Sequence, residues 1–286
     1  MVRYGETLMP ELPEVETIKR SLSQLIIGQK ITKASINYPN LLKNCLPEEF
    51  EKELVGQVFK DITRRGKYLM FEFESDLRLI VHLRMTGQLR YEKNSNLIHK
   101  HNHFILDLEK SNQLRYVDVR KFGMIYLGTY DEVINDSGWH RLGPEPLSEE
   151  FLPSTLLGIL KKYSGRKIKA LLLDQNIIAG IGNIYADEAL YKSKIHPESL
   201  AGCIPEDKVS ILYQNLREVL RLGIENRGTT LNDYVDGFGN TGSFQFSLLA
   251  YGQENKPCSY CGREISKIKV AGRSSHICNT CQNKYC

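Results

Sequence analysis

No apolar run in the sequence approaches the roughly 18 residues that a membrane-spanning helix needs, so nothing reads as a span. A secretory signal is also missing. The leading octapeptide Met1–Leu8 (MVRYGETL) is too short and too polar for one. Bulk charge is slight, at +4. Any attraction to a polyanion must therefore come from local clustering. The seven cysteines are an odd number, and without a secretory signal a disulfide framework is not expected. Four of them pair as two C-x-x-C units, which fits a metal in a cytoplasmic protein better. What remains is ordinary globular material, 41% hydrophobic and 25% charged over 286 residues, enough for about two domains.

Charge clusters in two places. Residues 255–286 carry Lys256, Arg263, Lys267, Lys269, Arg273 and Lys284 against the single acid Glu264. Lys161, Lys162, Arg166, Lys167 and Lys169 form a second run without an acid. Both suit a polyanion partner, although a charge run by itself is usually just a solvated face.

The N-terminal stretch Met9-Pro10-Glu11-Leu12-Pro13-Glu14-Val15-Glu16-Thr17 begins a helix. Apolar residues recur at Val15, Ile18, Leu22, Leu25 and Ile26 with helical period. Pro13 suits the first turn, the glutamates complement the helix dipole, and Gly28 supplies a stop. Met9-Pro10 also reads as a translation start. Loss of Met9 would leave Pro10 with a free secondary amine, whose reference pKa of about 7.7–8.0 lies well below that of lysine. Such an amine attacks a sugar C1′ and forms an iminium. With residues 1–8 attached, the same nitrogen is a tertiary amide and inert. Translation starting at Met9 is the favoured reading, ahead of cleavage of the extension or absence of the chemistry.

Residues 30–130 read as strands, with segments at Lys67–Glu74, Leu77–Met85, His103–Leu108 and Leu114–Leu127, and suggest a β-sandwich or barrel. Arg64-Arg65-Gly66-Lys67-Tyr68 is either a charged strand edge or a DNA contact. Met85 reads as core filler at a strand end, and Lys100-His101-Asn102-His103 as a polar loop. Trp139–Pro146 marks a linker, after which the pattern turns helical to about residue 235. There Gly180-Ile181-Gly182-Asn183 opens a helix and would present backbone N–H groups to a phosphate. Gly237, Gly239 and Gly242 form a loop before a last strand expected at Phe244–Tyr251.

Cys258-x2-Cys261 and Cys278-x2-Cys281 carry the strongest signal in the chain. Four soft thiolates at ribbon spacing fit one structural Zn²⁺. Cys45, Cys203 and Cys286 read as ordinary thiols. Gly272 suggests a tight turn between the two knuckles, placing Arg273 at the tip.

The Pro-Glu-Leu-Pro-Glu-Val-Glu-Thr start, the Arg-Gly-Lys-Tyr segment, the turn before Asn183 and the four-cysteine finger together resemble the formamidopyrimidine-DNA glycosylase family, in its oxidised-purine branch. The resemblance runs from Pro10 to about Gln282. It implies an α+β multidomain fold. Residues 10–140 would form a catalytic β-sandwich with an N-terminal helix, 150–235 a helix–two-turn–helix domain, and 236–286 a lesion-recognition loop and zinc finger. Residues 1–9 would be absent from the active chain.

The resemblance also implies a monomeric bacterial repair enzyme that excises oxidised purines from duplex DNA and cleaves the abasic site by β,δ-elimination. Pro10 would be the nucleophile, Glu11 the proton shuttle, and Lys67 and Arg273 phosphate-side catalytic residues. His101, Arg120, Lys169 and Asn183 would contact DNA. Met85, Arg120 and Phe122 would fill the gap left by the everted base. Val119 and Lys121 depart from the family's usual Pro and Arg, next to an unchanged Phe122. Three other readings stand beside this one: a damage-binding protein that does not cut, a zinc-ribbon transcription factor, and the oxidised-pyrimidine sister glycosylase.

Overall fold

The computed structural model describes residues 9–94, 97–231 and 234–286. The octapeptide 1–8, expected to be absent from the active chain, lies outside the described residues. The chain divides into two compact units. One holds the residues up to Arg141 together with Asn226–Ser243, the other Leu142–Glu225 with Phe244–Cys286. Residues 226–243 therefore belong in space with the N-terminal half, although in sequence they follow the helical segment.

The first unit begins with α1 (Leu12–Ile26), whose buried Val15, Ile18, Leu22 and Ile26 form the helical stripe anticipated from their spacing. There follow β1 (Ile31–Ile36), α2 (Pro47–Leu54), β2 (Phe59–Arg65), β3 (Tyr68–Phe73), β4 (Leu77–His82), β5 (Gly87–Lys93), β6 (Asn102–Leu108), β7 (Asn112–Asp118), β8 (Met124–Thr129) and α3 (Tyr130–Ser137). The strands make two antiparallel sheets, ordered β1-β6-β7-β5 and β2-β3-β4-β8.

Phe59, Ile62, Leu69, Phe71, Leu79 and Val81 of one sheet share a core with Ile31, Phe104, Leu106 and Leu114 of the other and with the apolar stripe of α1. The outer face of the second sheet is covered as well, because Met70, Ile80 and Tyr126 pack with Val133 of α3 and with Trp139. Burial on both faces explains why β3 and β4 read as nearly unbroken apolar runs rather than alternating ones.

The single strand expected at Leu114–Leu127 is two strands in different sheets. The chain breaks between Asp118 and Met124, where the Asp118 carboxylate takes up backbone N–H groups that a continuing ladder would have used.

The second unit contains α4 (Pro153–Lys162), α5 (Ile168–Leu172), α6 (Asn183–Lys192), α7 (Glu206–Glu225) and the hairpin of β9 (Ser266–Val270) with β10 (Arg273–Ile277). The strand expected at Phe244–Tyr251 is absent. Phe244–Ser247 is a 3-10 turn, and the N–H groups of Leu249, Ala250 and Tyr251 donate to the buried Glu188 carboxylate at 3.0, 2.9 and 2.8 Å. Burial raises the Glu188 pKa, and these three hydrogen bonds oppose the rise.

Cys203 and Cys286 are not ordinary thiols. They are joined as a disulfide, with Cα atoms 6.0 Å apart. The C-terminal segment lies along residues 194–200. Leu200 N–H donates to the Tyr285 carbonyl at 3.0 Å, and Asn283 N–H to that of Lys194 at 2.9 Å. The bond closes a loop across a sequence separation of 83. Its reduction is expected to destabilise the second unit by about 2–4 kcal/mol. Thermal melting should fall on adding a phosphine reductant, and Cys203→Ser should melt at the reduced position with or without it. Identical melting of the oxidised, reduced and Cys203→Ser forms would remove the bond from the account.

Candidate active site and metal centre

Pro10 is buried and directly precedes Glu11, the N-cap of α1. The Glu11 N–H donates to Glu14 Oε2 at 2.9 Å. Glu14 Oε1 accepts the Thr229 N–H at 2.7 Å, and the Tyr234 hydroxyl donates to the Glu14 carbonyl at 3.3 Å. Glu14 is thus an anchor that ties the helix start to residues 229–234, and both carboxylates are buried. In sequence Glu14 reads as a first-turn glutamate that complements the helix dipole and, with Glu11, could move protons beside Pro10; nothing local announces its anchoring role.

The basic segment at the β2–β3 turn serves more than one purpose. Arg64 Nε donates to Glu16 Oε2 at 2.9 Å and a terminal nitrogen to the Gly66 carbonyl at 3.0 Å, which docks the turn on α1. Burial pushes the Glu16 pKa up, but Arg64, with Arg20 and Lys19, outweighs it and leaves the carboxyl below its ordinary value. Lys67 is buried within the turn.

Met85 is half-buried in the turn after β4, while Arg120 and Phe122 are exposed in the loop after β7. The Arg120 guanidinium lies over the Phe122 ring at 4.8 Å, and Lys121 over Tyr38 at 4.5 Å. Phe122 thus keeps an apolar face in water beneath a cation. His101 contributes a buried Nδ1 that finds no hydrogen-bond partner among the described residues.

His82 is buried, and its Nδ1 accepts the Arg84 N–H at 3.0 Å. Burial, with Arg84 and Lys67 nearby, depresses its pKa from 6.5 to about 3. The folded protein therefore holds this ring neutral, while the unfolded chain binds a proton below about pH 6.5. The stability that depends on the neutral ring is complete above that pH and is lost as pH falls toward 3. His82→Asn, whose amide oxygen can accept the same N–H, should melt with a shallower acid dependence than the parent between pH 6.5 and 4. Parallel curves would contradict the assignment.

In the second unit Asn183 is the first residue of α6, behind Gly182, as anticipated. Its buried Oδ1 has no hydrogen-bond partner among the described residues. An amide oxygen accepts only, so in this position the groups that suit an anion are the N–H donors at the start of α6.

Lys169, expected at the DNA surface, is instead fully buried. Its ammonium donates to Asp187 Oδ1, the Ser274 carbonyl and Ser275 Oγ, each at 2.6 Å. Asp187 Oδ2 in turn accepts the His276 N–H at 2.9 Å. Lysine without exposed surface keeps its charge only inside such a shell, and here the shell joins α5 and α6 to β10. The neighbouring cations are largely paired too: Lys161 with Glu206, Arg166 with Asp174 and Lys167 with Glu198. The run 161–169 is therefore no unpaired patch.

The four anticipated ligands converge. The Sγ atoms of Cys258, Cys261, Cys278 and Cys281 all lie within 4.8 Å of one another, close enough to share one tetrahedral ion. The Tyr191 hydroxyl lies 3.0 Å from Cys258 Sγ, an outer contact that orients this ligand. Arg273 is exposed at the hairpin tip, beside Ala271 and Gly272 at φ 49° and 78°, the tight turn its neighbours announced.

These parts define a class of protein that joins a two-sheet β domain to a helical domain bearing a four-cysteine metal site. The particular family follows from comparison. Residues 9–125 match the formamidopyrimidine-DNA glycosylase N-terminal domain, 142–235 that family's H2TH domain, and 255–284 the zinc finger found in FPG and IleRS. The formamidopyrimidine-DNA glycosylase of Desulforamulus reducens is 46% identical over 275 residues, covering 96% of this chain and 99% of that one. That of Ligilactobacillus salivarius is 44% identical over 274 residues, with 96% and 99% covered. The Lactococcus lactis Fpg bound to DNA containing an abasic site superposes with a TM-score of 0.89 at 42% identity, covering 96% of this chain and all of that one. A complex of the same enzyme with DNA containing an oxidised pyrimidine gives the same values. The chain belongs to the formamidopyrimidine-DNA glycosylase family of DNA-repair glycosylases and abasic-site lyases. Its four-cysteine cluster is the family's site for one structural zinc ion.

Proposed function

We propose that the protein excises oxidised purines, 8-oxoguanine and formamidopyrimidines, from duplex DNA and cleaves the abasic product through an iminium on Pro10. The observation that carries this is the placement of Pro10 immediately before the α1 N-cap, next to the buried Glu11. The reading requires Pro10 to be the first residue. A match to the N-terminal family domain beginning at residue 9 supports that requirement.

The neutral Pro10 amine attacks C1′, the C1′–N bond breaks, and the damaged base leaves with a proton from Glu11. Glu11 then takes the proton of the Pro10 nitrogen and passes it to O4′ as the C1′–O4′ bond opens, which gives the iminium. The iminium acidifies C2′. Loss of a C2′ proton breaks the bond to the 3′ phosphate, and loss of a C4′ proton then breaks the bond to the 5′ phosphate. Hydrolysis of the conjugated iminium restores the amine. Lys67 and Arg273 are assigned to the phosphates that leave, and Asn183 and His101 to the DNA backbone. Met85, Arg120 and Phe122 fill the space of the everted nucleotide, because the target base must leave the stack before its C1′ can be reached. Zinc, when bound, supplies folding energy to the finger and no reacting group. Cys258, Cys261, Cys278 and Cys281 would hold it and so fix the hairpin that carries Arg273. A bacterial cytoplasm, where DNA and a thiolate-bound metal coexist, suits this activity, although it is a compartment that keeps bonds such as Cys203–Cys286 reduced.

Competition between duplexes tests the substrate class. Excision should fall when unlabelled 8-oxoguanine duplex is added and much less with an oxidised-pyrimidine duplex, and the products should end in phosphate on both sides of the gap. Preference for the pyrimidine, or a 3′ unsaturated aldehyde as the final product, would move the chain to the sister activity or end the reaction at β-elimination.

A further inference from the structure

One buried carboxylate joins the two gap-filling elements. Asp118 is fully buried at the end of β7. Its Oδ1 accepts the Arg120 N–H at 3.1 Å and the Thr86 hydroxyl. Its Oδ2 accepts the Gly123 N–H at 2.9 Å and the Tyr116 hydroxyl at 3.3 Å. Both ends of the loop bearing Arg120 and Phe122 therefore hang from a single side chain. Thr86 Oγ1 also accepts the Arg120 N–H, at 3.1 Å.

Thr86 belongs to the other element. The turn bearing Arg84 and Met85 closes through the Gly87 N–H, which donates to the Leu83 carbonyl at 3.0 Å. Arg84 sits there at φ 54°. The Tyr116 hydroxyl lies between the two elements, where a Cβ on either Gly87 or Gly123 would overlap it. The charge on Asp118 is thus met by two N–H and two O–H donors, all from the loop, the turn or the strand behind them.

We infer that Asp118 and Thr86 are positioning residues that lock the Met85 turn and the Arg120–Phe122 loop into one preorganised wedge, so that both side chains enter the duplex together. The inference rests on the gap-filling reading above. Its physical advantage is that the two segments are ordered before binding, so less freedom is lost when DNA arrives. Thr86→Val keeps the shape but removes the hydroxyl, leaving Asp118 Oδ1 and the Arg120 N–H each short of one buried partner.

The test is equilibrium binding of the whole protein to a duplex containing a tetrahydrofuran abasic analogue opposite 2-aminopurine, beside an undamaged duplex. The analogue has no base to lose, so the Pro10 amine plays no part. Thr86→Val should weaken binding to the abasic duplex about tenfold and reduce the 2-aminopurine fluorescence rise. Binding to undamaged duplex should be unchanged, and Thr86→Ser should restore the abasic binding. Met85→Ala and Phe122→Ala should each weaken abasic binding, with losses less than additive in the parent and additive in Thr86→Val. The inference is overturned if Thr86→Val binds the abasic duplex as the parent does while Met85→Ala and Phe122→Ala bind it weakly. Equal weakening on both duplexes would also overturn it, since that is a general loss of structure. If Met85→Ala and Phe122→Ala have no effect, the gap-filling reading fails and takes the inference with it.

Discussion

A chain whose first residue is Pro10 should form a borohydride-stable adduct with an abasic duplex, and the chain that retains residues 1–8 should not. The expected loss is about four orders of magnitude or more, the usual scale for removing a covalent nucleophile. In the longer chain the proline nitrogen is part of a peptide bond, and its lone pair is delocalised into the carbonyl. Freed, it is an amine with a reference pKa of about 7.7–8.0. Its neutral fraction, and with it the trapping rate, should climb as pH rises from about 6 to 8. The surroundings are ready for it, because Glu11 and Glu14 are buried and the helix start is tied to residues 229–234. Parallel reactions of the two chains with the same duplex, resolved on a denaturing gel, measure the difference. Equal trapping by both would show that another amine does the work.

Removal of zinc is expected to have the next largest effect. The finger holds few apolar side chains. Ile265, Val270 and Ile277 are buried, while Cys258 and Cys278 are themselves core residues. Structural zinc contributes on the order of 10–16 kcal/mol in finger peptides, more than so small a core replaces. Chelation, or Cys261→Ser, should release the ion and melt the β9–β10 hairpin, freeing Arg273 from its fixed position. Duplex affinity should drop on the order of a hundredfold, with a smaller salt slope, because phosphate contacts are lost. A metal-sensing dye and fluorescence anisotropy, followed together, check it. Full affinity after stoichiometric zinc release would separate the finger from DNA binding.

The features legible in sequence are those written in local spacing. The two C-x-x-C knuckles, the turn before Arg273, the helix start at Pro10 and the Gly182-Asn183 opening of α6 each need only a few consecutive residues. The β3 and β4 strands were legible because burial on both faces made them continuously apolar. β5 was not, because Gly87–Lys93 mixes polar and apolar residues at a sheet edge. The break after Asp118 and the missing strand at 244–251 share one cause: a buried carboxylate, Asp118 or Glu188, competes for backbone N–H groups, and no periodicity reports such competition. Lys169 looked like part of a basic surface. Its inward direction is set by Asp187 and by the backbone of a strand more than a hundred residues away. The Cys203–Cys286 bond was invisible for the same reason, being a meeting of distant segments.

The most direct test of the central claim is to locate the sugar on the trapped protein. The adduct formed with an abasic duplex would be reduced, digested and sequenced by mass spectrometry. The account predicts the added mass on the N-terminal peptide, at the Pro10 nitrogen. An adduct on Lys67, the buried amine of the β2–β3 turn, or on any other lysine would contradict it.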